Sequence, residues 1–227
     1  MSAVAPEVFV PVTTPPAPAT RSLPSPAHQA ERLVALGVHE RAGLSAAELR
    51  DAAGAAVDGA LLVVSPALAP PSALAPLLRL DGKEGFVVED MTDVDAFAPI
   101  AGVEVPDGPV YAVAGLDRGD SMANWSPDEA LPAIVRAVRT PLTLPEGIAW
   151  LLQCPDVLAR NRCFMTIGSR LRRPDGQLDA RTPALWISNG TGRDGKARRG
   201  APKVGWCWAG NRHTWLGFAS AATRRLL

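Results

Sequence analysis

Apolar and polar positions follow a helical spacing early in the chain and a strand spacing near its end. Ser25, followed by proline, is a favoured helix cap, and the apolar positions after it recur at helical spacing up to Gly37, which predicts a helix with a glycine stop. Ser45 and Glu48 form a capping box that opens a second helix. The continuous apolar run at 60–64 is typical of a buried strand.

Two further helices are predicted in the middle of the chain, and only strands after them. Ser126 and Glu129 flank a proline in a strong helix start, for a helix that ends near Arg139. The same arrangement at 143–146 predicts a helix through Leu152. Strands are predicted at 85–89, 110–114, 163–169, 184–188, 203–208 and 213–218. This succession predicts an α+β fold, in which N-terminal helices and mixed strands are closed by an antiparallel, tryptophan-rich hairpin.

The first 24 residues differ in composition from the rest. Six prolines and almost no charge predict a disordered tail at 1–24, followed by a single α+β domain at 25–227. A signal peptide is not expected, and no apolar run is long enough to span a membrane. The three cysteines are odd in number and widely spaced, which favours a reducing compartment. We therefore expect a soluble, cytoplasmic protein that does not contact a membrane.

The net charge of zero conceals two oppositely charged parts. Residues 1–158 carry 9 basic and 20 acidic side chains, a net charge of −11, whereas residues 159–227 carry 14 basic and 3 acidic side chains, a net charge of +11. Four of the six tryptophans also lie in the basic part. Positive charge combined with aromatic rings is typical of single-stranded nucleic-acid binding, which is one hypothesis. The alternative is that the acidic and basic parts face each other within one fold.

The tryptophans near the end of the chain predict a hairpin with a defined register. A two-residue loop at 210–211 would place Trp208 opposite His213 and Trp206 opposite Trp215. Because side chains alternate between the faces of a strand, these four rings would share one face, suited to stacking a planar ligand or a partner. The other face would carry Cys207, Thr214 and Leu216.

Two motifs are similar to known sites but lack essential features. Segment 190–197 is similar to a phosphate-binding loop, yet Ala197 stands where a serine or threonine would bind Mg²⁺, and the residues after it cannot form the required helix. The cysteines and His213 could in principle bind zinc, but none of the cysteines forms a closely spaced pair. We therefore predict no metal site, and no cofactor is indicated.

Nucleophilic and acid–base arrangements are also conceivable. The predicted hairpin directs Cys207 and His213 to opposite faces, which argues against a cysteine–histidine pair there, and a pairing of Cys163 with His213 stays open. Asp117 and Asp120 follow a predicted strand, where carboxylates can serve in acid–base chemistry. Aspartate and glycine are equally common in simple turns, so the same segment is also consistent with a turn.

Several segments resemble a family of uncharacterised proteins from high-GC bacteria, known as a domain of unknown function. The resemblance is carried by residues 77–86, 102–109, 117–120, 139–147, 161–164, 183–188 and 205–217, the last reading G-W-C-W-A-G-N-R-H-T-W-L-G. It covers most of the chain from about residue 28. It implies one soluble domain and brings no activity, cofactor or catalytic residue.

The leading hypothesis is a protein that binds a small molecule or a protein partner. Its site would lie between the hairpin end, with Trp208, Asn211, Arg212 and His213, and the loop that carries Asp117, Arg118 and Asp120. A second hypothesis is an enzyme in which His213 acts as acid or base with one of the two aspartates. The third is single-stranded nucleic-acid binding through the basic part.

Overall fold

Local capping interactions start the helices of the described chain. The computed structural model describes residues 22–227, except for the side chain of Arg193, so most of the predicted tail lies outside the described residues. The Ser25 hydroxyl accepts the His28 N–H at 3.4 Å, and the Glu48 carboxylate accepts the Ser45 N–H at 2.7 Å. Both helix starts were predicted from these side chains, and both are confirmed.

Six α-helices and fourteen strands are present in residues 22–227. The helices are α1 (Pro26–Ala35), α2 (Val38–Ala42), α3 (Ala46–Ala55), α4 (Pro71–Leu74), α5 (Pro127–Arg136) and α6 (Leu144–Gln153). The strands are β1 (Ala60–Val64), β2 (Arg79–Leu80), β3 (Lys83–Glu84), β4 (Phe86–Val87), β5 (Ala98–Pro99), β6 (Val110–Ala114), β7 (Thr140–Pro141), β8 (Cys163–Met165), β9 (Ser169–Arg170), β10 (Arg181–Ile187), β11 (Pro202–Trp208), β12 (Leu216–Phe218), β13 (Ser220–Ala221) and β14 (Thr223–Leu226). Mixed helices and strands in one domain confirm the predicted α+β class.

Helix α6 lies between the two larger sheets and is buried along its whole length. On one side is a three-stranded antiparallel sheet in the order β1-β6-β14. On the other side is a five-stranded sheet in the order β12-β8-β10-β11-β4. The Trp150 ring of α6 lies 5.5 Å from the Phe164 ring of β8, which joins helix and sheet in one hydrophobic core.

The two faces of the five-stranded sheet have different environments. The register aligns Phe164, Leu185 and Val204, and all three are fully buried in the core on the α6 side. Trp186 is paired with Lys203 one residue further along, so these two side chains belong to the opposite face. Alternation along β8 and β11 assigns Cys163 and Cys207 to that second face as well. The sheet therefore has one face packed on α6 and a second face that is only partly covered, because Ala184 on it is buried whereas Trp186 is half-buried.

The predicted antiparallel hairpin of the last tryptophans is wrong. Strand β11 pairs with β10 over seven residues, and its other edge pairs with β4 at Lys203 and Val204. Strand β12 instead pairs in parallel with β8, at the far edge of the sheet. The turn itself forms, because the Asn211 N–H donates to the Trp208 carbonyl at 3.0 Å. Segment 209–215 therefore crosses β10 and β8 instead of pairing back onto β11.

None of the helices in residues 22–227 is both long and apolar enough to cross a membrane.

Candidate functional site

A cavity of about 390 Å³ lies against the five-stranded sheet. Strands β8, β10 and β11 contribute its floor, and the crossing segment 209–215 contributes one wall. Its lining residues are Arg160, Asn161, Cys163, Trp186, Ile187, Ser188, Asn189, Trp206, Cys207, His213, Trp215 and Leu216. The cavity therefore combines three indole rings with a small set of polar groups.

The crossing segment brings His213 onto Cys207. Cys207 Sγ lies 2.8 Å from His213 Nε2. Burial raises the pKa of the Cys207 thiol, and burial lowers the pKa of His213, so at neutral pH both groups are uncharged. In the tautomer protonated on Nδ1, Nε2 accepts the thiol hydrogen. This contact corrects the sequence-based expectation that the two side chains point apart, which depended on the hairpin register.

Backbone hydrogen bonds hold the crossing segment in place at several points. The Asn124 N–H donates to the His213 carbonyl at 2.9 Å, and the Cys163 N–H donates to the Trp215 carbonyl at 3.0 Å. The His213 ring also packs against the Trp215 ring, with 5.2 Å between centroids. The imidazole is thus positioned by backbone bonds on both sides and by an aromatic neighbour.

The tryptophan walls are arranged by close packing. A Cβ on Gly205 would lie 2.7 Å from Trp186 Cη2, so the absence of a side chain at this position lets the indole lie across β11. Trp186 meets Trp215 edge to face at 6.5 Å. Lys203 Nζ also lies 4.7 Å from the centroid of the same indole. The Trp186 ring is therefore packed against β11, Trp215 and Lys203.

A second, charged cavity of about 300 Å³ adjoins the first and shares Trp186, Asn189 and Trp206 with it. Asp194 is central to it, because its carboxylate accepts from Lys203 Nζ at 2.6 Å and from the Ser188 hydroxyl at 2.7 Å. Asp194 belongs to the segment that is similar to a phosphate-binding loop. There it forms an ion pair with Lys203, and this segment contains two 3₁₀ turns instead of a helix.

Of the predicted site residues at the hairpin end, only His213 lines the tryptophan cavity. Trp208 is 47% exposed and packs against Trp206, with 4.6 Å between ring centroids. Asn211 Nδ2 lies 4.0 Å from Cys207 Sγ, beside the thiol. Arg212 forms an ion pair with Glu129 and lines a separate, open depression. His213 and Asn211 therefore both lie beside Cys207, whereas Trp208 and Arg212 lie outside the tryptophan-lined cavity.

The loop with Asp117, Arg118 and Asp120 packs behind strand β12. The Gly119 N–H donates to Asp117 Oδ1 at 2.8 Å, as in a simple turn. Arg118 is buried, pairs with Asp120 and donates to the Val157 carbonyl at 2.6 Å. Neither carboxylate lines the cavity that contains His213. The neighbour that the structure assigns to His213 is a thiol.

The two other cysteines differ from Cys207. Cys163 lines the cavity but is only 3% exposed, and burial raises its pKa to about 11. Cys154 is buried in the core. Within residues 22–227 no group of three or more histidine, cysteine or acidic side chains is arranged to hold a metal ion. The chemistry available at this site is that of a thiol, an imidazole and amide donors.

The acidic and basic parts of the chain meet in ion pairs. Each of these pairs joins a residue before position 158 to a residue after it: Arg181–Asp93, Arg198–Glu89, Arg212–Glu129 and Arg224–Glu146. The opposite net charges of the two parts therefore face each other within one fold at these points.

Fold and site together define an α+β protein with a thiol–imidazole pair in a tryptophan-lined cavity. The chain belongs to the family of unknown function DUF5701, whose sequence model matches residues 32–227. The resemblance to a domain of unknown function is thereby confirmed. No curated protein and no solved structure matches the chain significantly.

Trp186 and the amides of Asn161 and Asn189 were not predicted to lie at the site with His213, although Asn161 was visible as a polar residue at a strand start. Trp186 was visible as one of the tryptophans of the basic part, but its place in the site depends on the pairing of β10 with β11. Asn161 immediately precedes the predicted strand at Cys163 and adopts φ +60°, a conformation that asparagine tolerates better than most residues. An asparagine at a strand start was the one local signal available.

Proposed function

We propose that this protein binds a small organic molecule with a planar group in the tryptophan-lined cavity. The observation that carries the proposal is the cavity itself: about 390 Å³, with Trp186, Trp206 and Trp215 in its walls. Its volume falls within the range of small-molecule sites, which combine apolar walls with a few polar groups. Indole rings offer large rigid faces that stack on planar ligands.

Polar groups at the rim of the tryptophan-lined cavity can orient a bound ligand. Asn161 and Asn189 bring side-chain amides to the cavity, and each amide can both donate and accept hydrogen bonds. Arg160 adds a positive charge at the same rim. These groups favour a ligand with a carbonyl or carboxylate next to its planar part.

The adjoining charged cavity enlarges the space that a bound ligand can occupy. Lys203 and Arg198 line it beside Trp186, and the two cavities share that indole. A ligand longer than one ring can therefore lie across Trp186 with a polar end in the charged cavity. A nucleic acid is less well supported, because several basic side chains that could contact phosphates are paired with carboxylates instead.

The experiment is a fragment screen read through the six indole Nε1–H signals in a ¹H–¹⁵N spectrum. Benzamide, nicotinamide, benzoate and adenine serve as planar probes, each at millimolar concentration. At least one probe should shift the signals of Trp186 and Trp215 in a saturable manner. The signals of Trp150, buried in the core, and Trp125, in the separate depression, should stay in place.

A pair of variants completes the design. Trp186→Ala removes a wall of the cavity and should weaken binding of the active probe about tenfold or more, since stacking on one ring contributes about 1–3 kcal/mol. Trp125→Ala is the matched control and should leave binding unchanged. The proposal is refuted if none of the probes shifts the cavity signals, or if Trp125→Ala weakens binding as much as Trp186→Ala.

A further inference from the structure

The contact between Cys207 and His213 opens into the tryptophan-lined cavity. We propose that Cys207 is a nucleophile toward planar acyl compounds, esters or thioesters, and that His213 is its general base. The inference deepens the proposed function and rests on it, because the acyl compound would occupy the same cavity. It adds a covalent step, an S-acyl intermediate on Cys207, that binding alone does not require.

A nucleophile and its base must lie within hydrogen-bonding reach, about 2.6–3.2 Å, and Cys207 Sγ lies 2.8 Å from His213 Nε2. Both atoms belong to residues that line the cavity, so a bound molecule can reach them. The Asn124 N–H donates to the His213 carbonyl, and the Trp215 ring packs against the imidazole. These two contacts hold the imidazole beside Cys207 Sγ in the absence of a ligand.

The two cysteines that line the cavity, Cys163 and Cys207, differ in burial and in the partner of the thiol. Cys163 lines the same cavity, but it is almost fully buried, and its sulfur lies 3.7 Å from the Ala159 carbonyl oxygen, a hydrogen-bond acceptor that cannot take the proton away. Cys207 is only half-buried, and its sulfur lies against a basic partner, His213 Nε2. If the cavity supports acyl chemistry, the nucleophile is therefore Cys207.

The reaction balances without an oxidant or a metal. As Sγ attacks the carbonyl carbon, the thiol proton passes to His213 Nε2, and an S–C bond forms. The C–O or C–S bond to the leaving group then breaks, and the leaving group takes the proton from Nε2. In the second half, His213 accepts a proton from water, the hydroxide adds to the acyl carbon, and Cys207 leaves and recovers its proton.

Asn211 is placed to assist at the carbonyl oxygen. Its Nδ2 is 4.0 Å from Cys207 Sγ, which is long for a hydrogen bond to the sulfur itself. A carbonyl carbon bonded to the sulfur would bring its oxygen toward this amide, where negative charge develops during attack. The planar part of the substrate would lie along Trp186 and Trp215, which form the adjoining wall.

The test uses 4-nitrophenyl acetate, a planar ester with a coloured leaving group, on the full chain under reducing conditions. Wild-type protein should release a burst of 4-nitrophenolate of one equivalent per chain. Intact mass should show one acetyl group, and peptide mapping should place it on Cys207, not on Cys154 or Cys163. Cys207→Ala should remove the burst, and Cys154→Ala, the matched control at a cysteine outside the cavity, should retain it.

The role of His213 needs its own readout. His213→Gly should slow acetylation about 100-fold or more, the usual contribution of a general base, and added imidazole should restore part of the rate. A purely structural role would not respond to imidazole. The indole Nε1–H spectrum reports whether this variant keeps its fold, and Asn211→Ala should lower the acetylation rate about 10-fold or more with unchanged probe binding.

The outcomes separate the two proposals. If the planar fragments shift the cavity indoles but no acetyl group forms on Cys207, the nucleophile is refuted and the binding function stands. If Cys207 is acetylated at the same rate in His213→Gly, with no response to imidazole, the base is refuted. If neither shifts nor acetylation occur, both proposals fail.

Discussion

The pair formed by Glu146 and Arg224 joins helix α6 to strand β14 inside the core. Arg224 Nε lies 2.5 Å from Glu146 Oε1, and a second guanidinium nitrogen lies 2.7 Å from Oε2. The side chain of Glu146 is 0% exposed, and that of Arg224 is 5% exposed. The Thr143 N–H and the Tyr111 hydroxyl also donate to this carboxylate, at 2.8 and 3.3 Å. Replacing the arginine would leave a carboxylate that is fully removed from water without its charged partner.

The expected cost of Arg224→Met follows from that burial. Removing one partner of a buried ion pair costs about 3–5 kcal/mol, because the remaining charge is uncompensated. A domain of this size has a free energy of unfolding of about 5–15 kcal/mol, so the loss is a large fraction of the total. Adding Glu146→Gln to the same chain removes the stranded charge, and the double variant should recover part of the stability.

The assay is urea denaturation followed by tryptophan fluorescence, with the free energy of unfolding compared among variants. Arg225→Met is the matched control: it alters the next residue of the same strand, whose side chain is exposed, and should change stability by less than about 0.5 kcal/mol. If Arg224→Met and Arg225→Met destabilise equally, or if the double variant is less stable than Arg224→Met, the reasoning about the buried charge is wrong.

Three further changes test the close packing and the buried thiol. Gly119→Ala should destabilise the protein far more than Gly102→Ala in the same assay. Both glycines have positive φ, but only at Gly119 would a Cβ meet backbone, at 2.1 Å. Equal losses of unfolding free energy in the two variants would contradict this. Gly205→Ala should cost about 1–3 kcal/mol and shift the neighbouring indole signal, whereas Gly210→Ala meets no atom within 4 Å and should do neither. Burial raises the pKa of Cys163 to about 11 from 9.0, so as pH rises above 9 the unfolded chain loses this proton first and stability falls. Cys163→Val should remove that loss, about 2 kcal/mol at pH 11, in urea titrations across this pH range; parallel curves for both proteins would refute it.

Helix starts and buried strands were predictable because their causes are local. The capping box at Ser126 and Glu129 is formed by residues three apart, and it appears in the structure with the Ser126 N–H 2.8 Å from the carboxylate. The runs at 60–64 and 110–114 are strands with those bounds. In each case the signal lies within one segment, so it does not depend on how distant segments pair.

The hairpin prediction was wrong because the choice of strand partner is not local. A turn at 210–211 is consistent with two strands pairing across it, but it does not reveal that β10 already occupies one edge of β11. The partner that β12 adopts is β8, which lies outside the segment on which the hairpin prediction was based. The wrong register also placed Cys207 and Thr214 on one face and His213 on the other, and so excluded the pair that the structure forms.

The crossing segment 209–215 is where the sequence-based prediction was wrong, and it is also the segment that brings His213 to the candidate site. A hairpin would have kept His213 beside Trp208, at the open end of the sheet. By crossing to β12, the chain brings the imidazole into contact with Cys207. Five backbone hydrogen bonds fix the course of this segment, two at Ala209 and one each at Asn211, His213 and Trp215. Because a catalytic or binding group must be held in place by its supporting structure, these bonds explain how a connection outside regular strands can present a preorganised thiol–imidazole pair.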